Sequence, residues 1–71
     1  GLLAFQWVEA HIMELNERIN EAIGRRETSM QISAGELPVR ESWPEICKEL
    51  ERNDLTGAEC RDDGIEIKFE Q

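Results

Sequence analysis

The chain has 71 residues, of which 39% are apolar, and its 16 acidic and 8 basic side chains give a formal charge of -8 at neutral pH. A chain of this length forms a single small domain, here residues 1–71, with a thin core, so a partner or self-association is plausible. The acidic excess excludes unaided binding to nucleic acid or to an anionic membrane, because such binding depends on Lys and Arg.

The first predicted element is one long helix over residues 2–24. Its apolar residues recur at steps of three and four, the spacing of one helical face. They are Phe5, Val8, Ile12, Leu15, Ile19, Ala22 and Ile23. Gly24 is typical of a C-terminal helix stop. Arg18 and Arg25 each follow a glutamate by four residues, which favours ion pairs along the helix surface.

A short strand and a second helix are expected next. Residues 28–33 alternate between polar and apolar side chains, which predicts a half-buried strand, and residues 34–40 predict a loop. Ser42 and Glu45 have the spacing of a capping box, so a second helix is expected over 43–53. Its apolar face consists of Ile46, Cys47 and Leu50.

The remaining segment predicts a β-hairpin with strands at 56–61 and 65–70. Asp63-Gly64 is a strong signal for a two-residue turn. Such a turn would place opposite charges, and apolar residues, directly across from each other. The predicted pairs are Arg61 with Glu66, Cys60 with Ile67, Glu59 with Lys68, and Ala58 with Phe69.

The element order α-β-α-β-β predicts an α+β fold, a two-layer sandwich with both helices on one face of a three-stranded sheet that ends in the C-terminal hairpin. The order of the strands stays open. The first strand either lies beside and parallel to a hairpin strand, after a right-handed crossover, or lies at the far edge, separated by hairpin strands.

The length of the first helix suggests an interface. At 1.5 Å per residue it would be about 33 Å long, whereas a compact chain of this size has a radius of gyration of about 11 Å. Its apolar N-terminal end should therefore extend beyond the domain, and exposed apolar patches mark interfaces. Seven-residue spacings such as Phe5, Ile12 and Ile19 also allow a short coiled-coil seam. The predicted interface residues are Leu2, Leu3, Phe5, Trp7, Val8 and Ile12.

Two alternatives to self-association remain open from the sequence. The apolar face of the first helix could simply cover the sheet, or it could contact a different protein or a preceding domain. Residue 1 is Gly rather than Met, so we expect either a piece of a longer chain or a residue left from a tag.

The sequence contains no pattern typical of catalysis or metal binding. His11, Cys47 and Cys60 lack the paired spacings of a zinc site, and His11 has no sequence partner that suggests a general base. We therefore expect no enzymatic activity, no metal and no cofactor. The absence of a secretory signal predicts the reducing cytoplasm, with two buried free thiols, or alternatively with a disulfide bond between them. The apolar run 2–7 is far shorter than the about 20 residues that span a bilayer.

The acidic composition supports a second functional interpretation. Carboxylates can replace phosphates and occupy the nucleic-acid groove of a host enzyme, if they gather on one surface. Lys48 and Arg52 interrupt the candidate set, so a generally solvated acidic surface is the alternative. The candidate carboxylates are Glu41, Glu45, Glu49, Glu51, Asp62 and Asp63.

Several segments resemble small uncharacterised bacteriophage-encoded proteins, namely residues 19–24, 28–33, 36–38, 46–51 and 62–67. The element order is similar to part of the C-terminal domain of bacterial translation initiation factor 3 and to the TusA-like sulfur carriers. The basic RNA-binding residues of the former and the Cys-Pro motif of the latter are absent, so no activity transfers.

The phage resemblance implies an accessory protein of a phage or mobile element in the host cytoplasm. Together with the apolar helix end, it leads us to expect a protein–protein interaction module, homo-oligomeric or bound to a protein partner, with no direct contact to nucleic acid or membrane.

Overall fold

A computed structural model describes residues 2–55 and 57–69. Two helices and three strands follow one another as α1 (Leu2–Gly24), β1 (Ser29–Ser33), α2 (Trp43–Arg52), β2 (Ala58–Arg61) and β3 (Gly64–Lys68). Two 3₁₀ turns, Ala34–Glu36 and Arg40–Ser42, occupy the connection between β1 and α2. The predicted α+β class is confirmed. Thr56 and Glu70, at the outer ends of the two predicted hairpin strands, lie outside the described residues.

The last strand along the chain is the central strand of the sheet. The strand order is β1-β3-β2, and β3 is antiparallel to both neighbours. The two outer strands therefore point the same way and are connected through α2, with β3 inserted between them. The parallel neighbour arrangement does not occur, and the first strand lies at the edge, separated from β2 by a hairpin strand.

The core lies between the helices and one face of the sheet. On that face Met30 is opposite Ile67, and Ile32 is opposite Ile65, and all four are buried. The helices contribute Ala4, Val8, Leu15, Ile19, Ala22, Trp43, Ile46, Cys47 and Leu50. The other face is polar and carries Ser29, Gln31, Ser33, Glu59, Arg61, Glu66 and Lys68. Alternation along each strand therefore produces the two layers.

The first helix does not extend beyond the rest of the domain, contrary to the expectation. Its 23 residues are about 34 Å long, so the longest dimension of the domain, 33 Å, is set by this helix itself. Ala4 in the first turn and Ala22 in the last are both buried, so the helix is covered along its whole length. The other two dimensions are 23 and 18 Å, and the radius of gyration, 11.3 Å, averages over all three and hides the longest axis.

The hairpin register differs from the predicted one by two residues. Asp62 and Asp63 form the turn, and Gly64 is opposite Arg61 as the first residue of β3. Gly64 has a φ of 153°, and a Cβ at this position would collide with the carbonyl oxygen of Ile32. Glycine is thus required by the close approach of β1, not by the centre of the turn. The observed pairs are Cys60 with Ile65, Glu59 with Glu66, and Ala58 with Ile67.

Because the register shift is an even number of residues, every side chain stays on its predicted face. The expected ion pairs form between diagonal neighbours instead of direct partners. Arg61 Nη2 lies 2.6 Å from Glu59 Oε2 and 2.8 Å from Glu66 Oε1, and Lys68 Nζ lies 3.3 Å from Glu59 Oε2. The hydrogen bond from Arg61 stabilises the ionised form of Glu66 and so lowers its pKa. The carboxylates of Glu59 and Glu66 can therefore lie opposite each other on one face.

The second helix begins at Trp43 as expected, but Ser42 does not cap it through its side chain. The Ser42 hydroxyl instead donates to the Val39 carbonyl oxygen at 2.6 Å. Pro44 lies in the first turn, where backbone N–H groups have no partner within the helix. Its nitrogen carries no hydrogen, so proline fits this position.

We expect Gly64→Ala to lower the free energy of unfolding by at least about 2 kcal/mol, because the backbone conformation is strained for alanine and the methyl group meets β1. Gly35→Ala is the matched control, since a Cβ there has nothing within 4 Å. Urea denaturation followed by tryptophan fluorescence measures both variants. Equal stability of the two would contradict the close approach.

Candidate functional site

The exposed apolar residues of α1 are concentrated in its first turn. Leu2 is 70% exposed, Leu3 49% and Phe5 46%, and we name these three residues the N-terminal patch. Ala4 and Val8 define the side of the helix that faces the core. At 100° per residue, the patch therefore wraps around the outer side of the first turn, with Leu3 and Phe5 on opposite flanks.

The other three predicted interface residues do not belong to this patch. Val8 is 2% exposed and lies in the core, while Trp7 and Ile12 are half-buried and pack against it. The seven-residue seam also contains Leu15 and Ile19, which are buried. The seam thus covers the domain's own core, the alternative left open by the sequence, while Phe5 at its N-terminal end stays exposed.

Trp7 is held in place by its neighbour one turn later. Its ring stacks on His11 with centroids 4.3 Å apart and planes inclined by 18°. Nδ1 of His11 lies 2.7 Å from the Trp7 carbonyl oxygen, which implies that Nδ1 carries the proton and donates it. His11 is therefore oriented by the backbone carbonyl of its own helix.

Arg18 connects α1 to the edge strand β1. Its Nη1 lies 2.7 Å from Glu36 Oε1, and its Nη2 donates to the Gln31 carbonyl oxygen at 2.9 Å. The other oxygen of Glu36 accepts from the backbone N–H and the hydroxyl of Ser33, both at 3.0 Å. The Ser33 N–H is the main cause of a lowered Glu36 pKa; partial burial opposes it and Arg18 adds to it. The predicted pair with Glu14 is long, at 4.0 Å.

The position of Arg18 has a consequence for the sheet. The Thr28 carbonyl oxygen and the Ala34 N–H both form hydrogen bonds on the β3 side of β1. Backbone groups alternate between the two sides of a strand, so the odd-numbered residues of β1 direct theirs away from β3. Gln31 therefore presents its carbonyl oxygen at an open edge, and Arg18 occupies it. A charged side chain that covers the open edge of a sheet is a common barrier to pairing with another chain.

Two of the grooves that border α1 are poorly suited to a small ligand. One has a volume of about 230 Å³, below the about 300 Å³ at the lower end for ligand sites, and is lined by Trp7, His11, Glu14, Leu15, Arg18, Ile32 and Glu36. The other, about 690 Å³, lies between the end of α1 and β1. Its lining is largely charged, and Arg25 is already paired with Glu27 at 3.1 Å instead of with Glu21 as predicted.

The two cysteines are neighbours in space. Their Sγ atoms are 3.4 Å apart, and both thiols are free. Cys47 is buried, whereas Cys60 is exposed, so the expectation of two buried thiols is wrong for Cys60. Burial raises the pKa of the Cys47 thiol to about 12, and the contact with Cys60 adds to the increase.

Within residues 2–55 and 57–69, no three His, Cys, Asp or Glu side chains are grouped in a way that could hold a metal ion. In the same residues no helix has the length and apolar character needed to cross a bilayer. No protein-family model matches the chain, and neither the curated proteins nor the solved structures contain a match. The function therefore has to be inferred from the geometry of the molecule.

One feature of the site could have been found in the sequence, and a second could not. Ser33 and Glu36 have the same serine-to-glutamate spacing as Ser42 and Glu45. The Ser33 hydroxyl donates a hydrogen bond to the Glu36 carboxylate, which makes this the capping pair that forms. Ala4 completes the buried spacing with Val8, but alanine carries little hydrophobic signal.

We expect Glu36 to make folding stability depend on pH. Its pKa is lower in the folded chain, so its carboxylate stabilises the fold above the ordinary value of 4.5, and this contribution is lost as the pH falls through the folded pKa. Glu36→Gln should lower the free energy of unfolding by about 0.5–1 kcal/mol at neutral pH.

Urea denaturation of both proteins, repeated at several values from neutral to strongly acidic pH, measures this dependence. The difference between them should shrink on acidification. Glu17→Gln, on the exposed outer side of α1, is the control and should change little throughout. A difference that stays constant at acidic pH would contradict the role of Glu36.

Proposed function

We propose that this protein is a non-enzymatic protein–protein interaction module that self-associates through the N-terminal patch of α1. The observation that carries the proposal is the exposure of Leu2, Leu3 and Phe5 together in one helical turn. The other large apolar side chains that are exposed, Met13, Ile23 and Val39, are not neighbours in sequence. An apolar patch rimmed by polar residues is typical of an interaction surface.

The small size of the patch indicates a weak contact. A standard stable interface buries about 800 Å² on each partner, far more than three partly exposed side chains provide. Two copies related by a two-fold axis would bring identical patches together. We therefore expect a concentration-dependent dimer with a dissociation constant above about 10 μM, rather than a permanent one.

The described titratable groups support a role without catalysis. His11 is bonded to its own helix, Glu36 is held by Arg18 and Ser33, and Cys47 is protonated at neutral pH. An active site needs groups of this kind converging on a reacting atom. The proposal includes an accessory role for a phage or mobile element in the reducing cytoplasm of the host, which rests on the sequence resemblance.

The arrangement of charge does not favour the nucleic-acid mimic. Carboxylates occur on the outer side of α1 (Glu17), on α2 (Glu51) and on the polar face of the sheet (Glu66), which means on both layers of the domain. On the sheet, Arg61 and Lys68 pair with them. A protein that fills a nucleic-acid groove needs one continuous acidic surface.

We expect Phe5→Glu to weaken self-association at least about tenfold, because a charge would be buried within the contact. Sedimentation equilibrium over a range extending to about 1 mM measures the dissociation constant. Met13→Glu is the matched control, since Met13 is 79% exposed on the same helix but outside the patch. Thermal unfolding verifies that both variants remain folded.

A wild-type protein that stays monomeric at the highest concentration would overturn the proposal. So would equal weakening by Met13→Glu, because the contact would then depend on the net charge of the chain rather than on the N-terminal patch.

A further inference from the structure

The two sulfur atoms are brought together by the packing of α2 on the sheet. Cys47 lies on the buried side of α2, and Cys60 is opposite Ile65, which places it on the sheet face that the helices cover. The strand that carries Cys60 is at an edge, so no neighbouring strand shields it and the side chain is exposed. The contact of 3.4 Å therefore joins the thiol of an exposed residue to the thiol of a buried one.

This asymmetry assigns different chemistry to the two residues. A dissolved oxidant reaches the exposed Cys60 more readily than Cys47, which is only 8% exposed. Burial keeps the Cys47 thiol protonated, and a thiol reacts much more slowly than a thiolate. The first attack on an oxidant therefore belongs to Cys60, and Cys47 is in contact with the product of that attack.

We propose that Cys47 and Cys60 form an oxidation-responsive thiol pair, in which hydrogen peroxide converts the two free thiols into a disulfide bond between α2 and β2. This site is separate from the N-terminal patch and does not depend on self-association.

The reaction consists of two balanced steps. The Cys60 thiolate attacks one oxygen of hydrogen peroxide, the O–O bond breaks, and hydroxide leaves, so that Cys60 becomes a sulfenic acid. The Cys47 sulfur then attacks the Cys60 sulfur, the S–O bond breaks, and the departing hydroxide takes the Cys47 proton as water. In total, two thiols and one peroxide give one disulfide and two waters.

Little movement is needed to form the bond. A disulfide has an S–S length of about 2.05 Å, so the sulfur atoms must approach by about 1.3 Å. Rotation of the exposed Cys60 side chain at the edge of the sheet can supply this change. The new bond would close the short loop between α2 and β2 and restrict the unfolded chain, so we expect the Tm to rise by about 10 °C.

Intact-mass spectrometry of the wild-type protein after treatment with hydrogen peroxide tests the proposal. We expect a monomer lighter by two hydrogens, with both thiols lost together to iodoacetamide labelling and recovered with dithiothreitol. Peptide mapping should identify the Cys47–Cys60 linkage, and the oxidised monomer should show the higher Tm.

Two variants separate the roles of the thiols. Cys60→Ser should leave Cys47 unmodified by peroxide, because the accessible thiol is gone. Cys47→Ser should give a Cys60 sulfenic acid that dimedone traps, or a disulfide between two chains. If Cys47→Ser fails to fold, the wild-type mass and peptide map still decide the question.

Three results with the wild-type protein would overturn the proposal. They are the addition of oxygen atoms to Cys60 while Cys47 stays free, a disulfide that joins two chains as the main product, and no reaction with peroxide at all.

Discussion

The rest of this structure depends on one interaction, the packing of α1 and α2 over the apolar face of the sheet. That face carries Ile32, Ile65 and Ile67. A three-stranded sheet is stable only when its apolar face is covered, and here α1 packs against β1 while α2 packs against β2. The central strand β3 carries two of the three isoleucines, Ile65 and Ile67. The contact between the sulfur atoms and the bond from Arg18 to the sheet edge both follow from this two-layer packing.

Much of the fold can be predicted because its signals are local. The spacing along α1 and α2 and the alternation in β1 depend only on nearby residues, and the fold class follows from their order. The hairpin register could not be predicted in the same way. Glycine after aspartate usually marks the centre of a turn, but Gly64 is required by a contact with Ile32 on another strand. A local signal and a distant contact select the same residue type, and only the packed sheet distinguishes them.

The candidate sites show the same limit. Seven-residue spacing in α1 suits a coiled coil and also suits a helix lying on a sheet, so the sequence could not decide that Val8 is core while Phe5 is surface. Packing against the sheet determines which side of the helix is buried. The proximity of Cys47 and Cys60 likewise arises from the packing of α2 on β2, which no spacing rule for cysteines encodes.

The central position of β3 has a consequence for how this chain is made. During vectorial synthesis, residues 29–33 and 58–61 emerge first, yet they cannot pair with each other, because the space between them belongs to residues 64–68. Until that segment leaves the ribosome, the isoleucine of β1 and the apolar sides of both helices have no sheet to cover them. Nascent chains therefore expose these apolar surfaces to chaperones and proteases until residues 64–68 have emerged.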